Sequence, residues 1–216
     1  LEKSNLALNY WEKKILIWEK YRYSKFLFFY PMSWSVRSRL HHAEKFLSKN
    51  VKHNWKVCEL GCGSGILAKK IAPLVGSFHG IDIAKNAIEL AKYRNRNNSS
   101  TFEAMDISSK EFEEYDLFIF LGLTDWLSLD QMNDLFRKIN SKCILFSFTE
   151  VKVISRWNPY RYYRAYTDRK SQKFSYVANS YSEECINEIL KRNGYEINII
   201  QKASLFNPGV LVWATR

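Results

Sequence analysis

Residues 59–65, ELGCGSG, place Gly61, Gly63 and Gly65 at alternate positions, after a short apolar run and before a helical pattern. Glycines so spaced remove side chains from a tight turn, so backbone N–H groups and a helix N-terminus can approach a ligand closely. The spacing also excludes two neighbours. A dinucleotide fingerprint requires G-x-G-x-x-G, and Ile66 stands where its third glycine belongs; a phosphate-cradling loop requires Gly-Lys-Ser/Thr, which does not follow. The expected ligand is a nucleoside without a pyrophosphate. Asp82 ends the run SFHGID, 17 residues after Gly65, where a strand-tip carboxylate can accept both hydroxyls of a ribose lying across the glycine turn. Asp106, in EAMDI, holds the same place after the next run and can accept a hydrogen bond from the exocyclic amine of adenine. Either acid alone serves equally well as a helix cap; the two in this order, behind the glycine turn, are the signal.

The elements that must position these residues follow from hydrophobic rhythm. From Trp55 onward, short apolar runs (KVCEL, SFHGID, TFEAMD, YDLFIFLG, SKCILFSF) alternate with helical patterns over about 66–75, 84–96 and 128–139. Such alternation implies right-handed βαβ crossovers and a doubly wound α/β core with a parallel sheet. A helix over about 182–193 and two closing runs, YEINIIQ and GVLVWATR, joined through Asn207, Pro208 and Gly209, predict a terminal antiparallel hairpin. The expected sheet has seven strands, mostly parallel, with the last reversed. Ahead of it, Leu8, Trp11, Ile15 and Trp18 mark an amphipathic helix from residue 2 to about 30, stopping at Pro31. A second helix is expected over 33–48, with Ser33 or Ser35 as its cap and Leu40, Ala43, Phe46 and Leu47 as its buried stripe. The expected organisation is an N-terminal helical cap over 1–54 and a core over 55–216, with 149–180 as a basic, aromatic insertion that covers the substrate.

Composition sets the outer bounds. The 216 residues are 46% hydrophobic and 16% aromatic, enough for one well-cored domain, and hold no apolar run approaching the roughly 18 residues of a membrane span. Cys58, Cys62, Cys143 and Cys185 form no CxxC pair, and His41, His42, His53 and His79 make no ligand spacing with them, so the expectation is a reducing, cytoplasmic setting and no metal. No secretory leader is recognised at the start. The net charge of +11 is uneven: residues 1–56 carry +8 and 150–175 carry +5, while 57–149 carry −2. This favours an anionic partner, with a solubility face as the alternative.

With these residues in view, the chain resembles the S-adenosylmethionine-dependent methyltransferases of the Rossmann-like class. ELGCGSG is similar to their glycine-rich first motif, GID to the ribose acid, AMD to the adenine contact and YDLFIFLG to the fourth strand; the resemblance covers roughly 55–148. It implies S-adenosylmethionine as cofactor and S-adenosylhomocysteine as product. Carried over by position, it implies that Glu59, Gly61, Gly63 and Gly65 line the methionine moiety. Asp82 and Ile83 would hold ribose and adenine, Asp106 and Ile107 the adenine, and Leu121 and Gly122 the floor of the site. In this family the N-terminal helices and the segment after the fifth strand cover the acceptor edge, which here are the two basic segments.

Methyl transfer needs alignment and exclusion of water, which supply about 7–11 kcal/mol in the best cases, so a base is optional. Asp125, in LGLTDW, stands as an acceptor-orienting base or as the cap of the following helix; His41 and His42 stand as a cleft-facing base or as packed histidines. Tyr30, Tyr162 and Tyr163 line an acceptor pocket or pack the lid, and Arg37, Arg39, Arg156, Arg161 and Arg164 are candidate anion contacts. Trp157-Asn158-Pro159-Tyr160 is similar to the NPPY-type motif of amino-methylating enzymes, but it lacks a proline and follows the fifth strand rather than the fourth. Methylation of a base amine is therefore disfavoured. The expected function is methylation, on oxygen rather than nitrogen, of a small anionic acceptor such as a sugar, a carboxylated metabolite or a glycolipid precursor. An RNA or tRNA substrate, stacked on Trp11, Trp34, Tyr160 and Tyr163, is the alternative. A non-catalytic partner protein and a peripheral membrane contact through the first helix are the others.

Overall fold

Strands with long unbroken apolar stretches, such as LFIFL and CILF, belong in a sheet covered on both faces, since alternate side chains point to opposite sides. The computed structural model, which describes residues 2–23, 31–109, 111–139, 141–152, 178–204 and 207–216, has this architecture. The chain runs α1 (Glu2–Tyr23), α2 (Pro31–Asn50), β1 (Lys56–Leu60), α3 (Ala68–Ile71), β2 (Ser77–Asp82), α4 (Lys85–Arg94) and β3 (Ser100–Ala104). It continues through β4 (Leu117–Leu121), α5 (Leu129–Lys138), β5 (Cys143–Thr149), α6 (Glu183–Arg192), β6 (Glu196–Gln201) and β7 (Gly209–Thr215). The seven strands lie in the order β3-β2-β1-β4-β5-β7-β6. The first five are parallel; β7 is antiparallel to both β5 and β6.

In β4, Phe118 and Phe120 enter one core with Met132, Leu135 and Phe136 of α5 and Ile186, Ile189 and Leu190 of α6. Leu117 and Ile119 enter the other, with Ala43 and Leu47 of α2, Ile71 of α3 and Ile88 and Ala91 of α4. Each fully buried Leu, Ile or Phe contributes about 1.5–3 kcal/mol of hydrophobic stabilisation. Strand order reverses between β1 and β4, which opens a crevice at the carboxyl ends of the strands.

Three expectations change. The helix expected over 66–75 is only one turn, Ala68–Ile71, followed by a 3-10 turn at Ala72–Leu74 that carries Pro73 at its start. The second helix begins at Pro31, ahead of both serines, as suits a residue without an N–H at a helix start. It is also built into the core layer rather than forming part of a separate cap: Ala43 and Leu47 are fully buried, and Phe46 packs on Trp213 of β7 at 5.1 Å. Among the described residues, no helix is long and apolar enough to cross a membrane.

Candidate functional site

The turn after β1 is tied to the tip of β2. Gly61 and Cys62 donate their N–H groups to the carbonyl of Ile81 at 2.8 and 3.0 Å, and Gly63 donates to Asp82 Oδ2 at 2.8 Å. Asp82 Oδ1 accepts from Ala84 N–H at 2.9 Å, so one carboxylate fixes both the glycine turn and the start of α4. Gly63 and Gly65 have φ of +52° and +67°, a region that side chains disfavour. Burial raises the Asp82 carboxyl to about 6, against the lowering effect of its bonds to Ala84 and Gly63, with Glu19 adding to the rise. Glu59, on β1, is 5% exposed, and its Oε2 has no hydrogen-bond partner among the described residues. Burial, then Asp82 and Glu19, push its carboxyl well above the usual range. A buried acceptor left open in this way is completed by a cationic donor such as an ammonium group. Cys62 is also buried, and burial, then the neighbouring Asp82, pushes its thiol up, which favours the protonated form.

The first helix closes over this turn. Glu19 accepts the N–H of Ser64 at 2.8 Å and the Ser64 hydroxyl, and pairs with Arg94 at 3.7 Å. A Cβ built on Gly63 would stand 2.5 Å from Glu19 Oε1, so glycine is required for this approach. One helical face lower, Glu12 accepts the N–H groups of Lys85 and Asn86, at 2.5 and 3.4 Å, at the N-terminus of α4. Tyr10, Trp11 and Trp18 gather around Trp126, with ring centroids 5.5, 4.8 and 5.8 Å away. This aromatic face of α1 is turned toward Trp126 and the cavity.

Between α1 and the strand tips lies a cavity of about 490 Å³, within the usual size of small-molecule sites. Glu59, Gly61, Gly63, Asp82, Ile83, Asp106, Ile107, Leu121 and Gly122 all reach it. Gly65 does not: the space beside it is filled by Asn95, Ala91 and Phe102, and it packs α4 against the turn. Asp106 reaches the cavity, and its Oδ1 accepts Ser108 N–H at 2.9 Å.

The expected acceptor side changes more. Asp125 is neither aimed into the cavity nor the cap of α5. Its two carboxylate oxygens accept from the N–H and hydroxyl of Thr149, at 2.8 and 3.0 Å, while Ser128 with Gln131 forms the capping box of α5. His41 is exposed, and His42 Nδ1 lies 2.7 Å from the carbonyl of Ser38 on its own helix; neither reaches the cavity, and neither does Arg37. Tyr30, Arg156, Arg161, Tyr163 and Arg164 lie outside the described residues, as do Tyr160, Tyr162 and nearly all of the expected insertion. Arg39, one turn from Val36 on α2, does line the cavity. Glu12 and Glu19 were missed as site residues; their separation by seven positions, two helical turns, on the face of Trp11, Ile15 and Trp18 is the available signal.

Residues 57–143 match a protein family described as a methyltransferase domain. Magnesium protoporphyrin IX methyltransferase from Synechocystis PCC 6803 with bound SAM superimposes with a TM-score of 0.74 at 17% identity, over 100% of this chain and 98% of that one. The DhpI complex with SAH gives 0.69 at 13% identity, covering 98% and 95%. The YcgJ protein from Bacillus subtilis gives 0.62 at 13%, covering 82% and 98%. At these identities the likeness is one of fold. No curated protein matches the chain.

Proposed function

We propose that the protein methylates a small anionic acceptor, on oxygen, from S-adenosylmethionine: residues 57–143 match the family described as a methyltransferase domain, and the fold is that of a methyltransferase solved with bound SAM. The observation that carries the cofactor is the open, buried oxygen of Glu59 beside the glycine turn, with Asp82 at the next strand tip. Glu59, Gly61 and Gly63 would receive the methionine end and its ammonium, Asp82 and Ile83 the ribose, and Asp106 and Ile107 the adenine. Leu121 and Gly122 would form the floor toward the acceptor. Bound there, S-adenosylmethionine supplies an electrophilic methyl carbon on a sulfonium sulfur, leaving neutral S-adenosylhomocysteine when an acceptor oxygen takes the methyl group.

The chain's own residues exclude water and orient. Trp11, Trp18 and Trp126 wall the acceptor side, and Glu19 holds α1 over the turn. Asp125 is committed to Thr149, so the proposal needs no side-chain base: alignment supplies the rate, and an acceptor oxygen that is already ionised loses no proton. The test is calorimetric titration with S-adenosylmethionine and S-adenosylhomocysteine, with NADH as control and Asp82→Ala alongside. Micromolar binding of both sulfur nucleosides, weakened at least about tenfold in a variant that remains folded, is expected. No binding to a folded wild-type sample overturns the proposal.

A further inference from the structure

The guanidinium of Arg39 occupies the space beside Gly122, at the tip of β4, where a side chain would otherwise stand. A Cβ built on Gly122 would stand 2.8 Å from Nη2, 3.0 Å from Nη1 and 3.1 Å from Cζ. Gly122 has φ of +82° and anchors its N–H on Ser147 Oγ at 2.9 Å, so this bare backbone platform is fixed from the β5 side. Arg39 is half-buried and lines the cavity, yet it makes no hydrogen bond or ion pair with any described residue. None of the acids lining the cavity pairs with it: Glu19 is held by Ser64 and Arg94, Asp82 by Gly63 and Ala84, Asp106 accepts from Ser108 and Asp134 from Arg137, and the open oxygen of Glu59 has no partner among the described residues. A planar cation removed from bulk water without a counter-charge is costly, and its fork of N–H donors matches a carboxylate or phosphate.

Topology separates this cation from the nucleoside side. Glu59 and Asp82 stand at the ends of β1 and β2 and Asp106 just after β3, strands that run to one edge of the sheet; Gly122 and Trp126 follow β4, on the other side of the switch point. Trp126 forms one wall there, with Trp11 at 4.8 Å and Trp18 at 5.8 Å from it. Such a wall accepts a flat apolar body. We propose that Arg39 is the specificity-determining anchor of the methyl acceptor, and that the acceptor carries an oxyanion, carboxylate or phosphate, on a flat apolar body packed against Trp11, Trp18 and Trp126. This rests on the preceding assignment of the glycine-turn side of the cavity to the cofactor.

The experiment is calorimetry on the full chain, free and saturated with S-adenosylhomocysteine, using 2-naphthoate, 2-naphthyl phosphate and the neutral 2-naphthamide as probes. One or both anions should bind at least about tenfold tighter than the amide, and the tighter of the two names the oxyanion. Arg39→Met should abolish that preference and Arg39→Lys should retain part of it, with S-adenosylhomocysteine affinity unchanged within about twofold. Trp126→Leu should weaken all three probes alike, which keeps the test decisive if Arg39→Met fails to fold. Equal binding of anions and amide, no binding of any probe at millimolar concentration, or a preference that survives Arg39→Met overturns the proposal. So does a tenfold loss of S-adenosylhomocysteine in Arg39→Met, which would assign the guanidinium to the cofactor. If the wild type binds no S-adenosylhomocysteine, the cofactor assignment fails, while the anion preference of the free protein still decides the role of Arg39.

Discussion

Glu19 on the first helix and Ser64 in the glycine turn, forty-five positions apart, are joined by the Ser64 N–H at 2.8 Å and by the Ser64 hydroxyl. The contact makes α1 the roof of the site, and its strength is measurable. Glu19→Ala should destabilise the docked helix by about 1–2 kcal/mol, with Glu19→Gln intermediate, because an amide oxygen still accepts from Ser64 but no longer pairs with Arg94. Limited trypsin digestion at Lys13, Lys14 and Lys20 should accelerate in the alanine variant while the far-ultraviolet circular dichroism stays unchanged. Equal digestion rates in wild type and variant would show that the latch does not hold the helix.

The acids beneath that roof give the ligand-free protein an unusual pH response. Asp82 is raised by burial to about 6, and burial also pushes Glu59 well above the usual carboxyl range. Both therefore bind protons more readily folded than unfolded, where carboxyls titrate near 4. Stability from these groups is complete below the unfolded pKa and falls as pH rises through the folded one. Thermal midpoints should rise on going from pH 7.5 to 5, with Asp82 contributing about 1–1.5 kcal/mol over that window. In Asp82→Asn that component should vanish. A cationic ligand seated on Glu59 should also flatten the profile.

Asp125 offers a clean division between supporting and reacting groups. Its carboxylate holds the end of β5 through Thr149, so Asp125→Ala should lower stability by about 1–3 kcal/mol. Turnover measured well below the thermal midpoint should change by less than about tenfold, where loss of a general base costs about 10²–10⁴. A loss in that larger range from a folded variant would return the residue to the chemistry.

Gly65 is required for packing rather than for contact with the ligand. With φ of +67° and Asn95 Nδ2 at 2.6 Å from a built Cβ, Gly65→Ala should cost about 2 kcal/mol or more and shift α4. Chemical denaturation should show a lower midpoint with an unchanged slope. S-adenosylhomocysteine affinity, measured on the folded fraction, should fall only modestly.

The sheet was legible in the sequence because its strands are short, mostly apolar runs, several of them closed by glycine or acidic turns, as in KVCEL before Gly61 and SFHGID before Ile83. The nucleoside side of the site was legible for the same reason: its residues sit at strand tips, which local pattern marks. The acceptor side was not. Whether Asp125 faces the cavity depends on Thr149, twenty-four residues away, and the worth of Arg39 depends on a bare Gly122 in another layer. The length of α3 was misjudged because three left-handed glycines hold the chain open up to Gly65 and Pro73 ends the helix early. Glu12 and Glu19 resembled ordinary surface charges until α1 was seated on the turn.

The placement of β7 between β5 and β6 carries a cost during synthesis. β5 emerges about sixty residues ahead of the strand that covers its outer edge, from Cys143 opposite Thr215 to Thr149 opposite Gly209. Until then a strand buried along nearly its whole length in the finished protein presents an open row of N–H and C=O groups, the kind of edge that recruits other chains. Nascent chains stalled between these two strands should be the species most in need of a chaperone. The pairing of β7 with β5 is also the most non-local in the sheet, spanning 60–72 positions from Thr149 opposite Gly209 to Cys143 opposite Thr215.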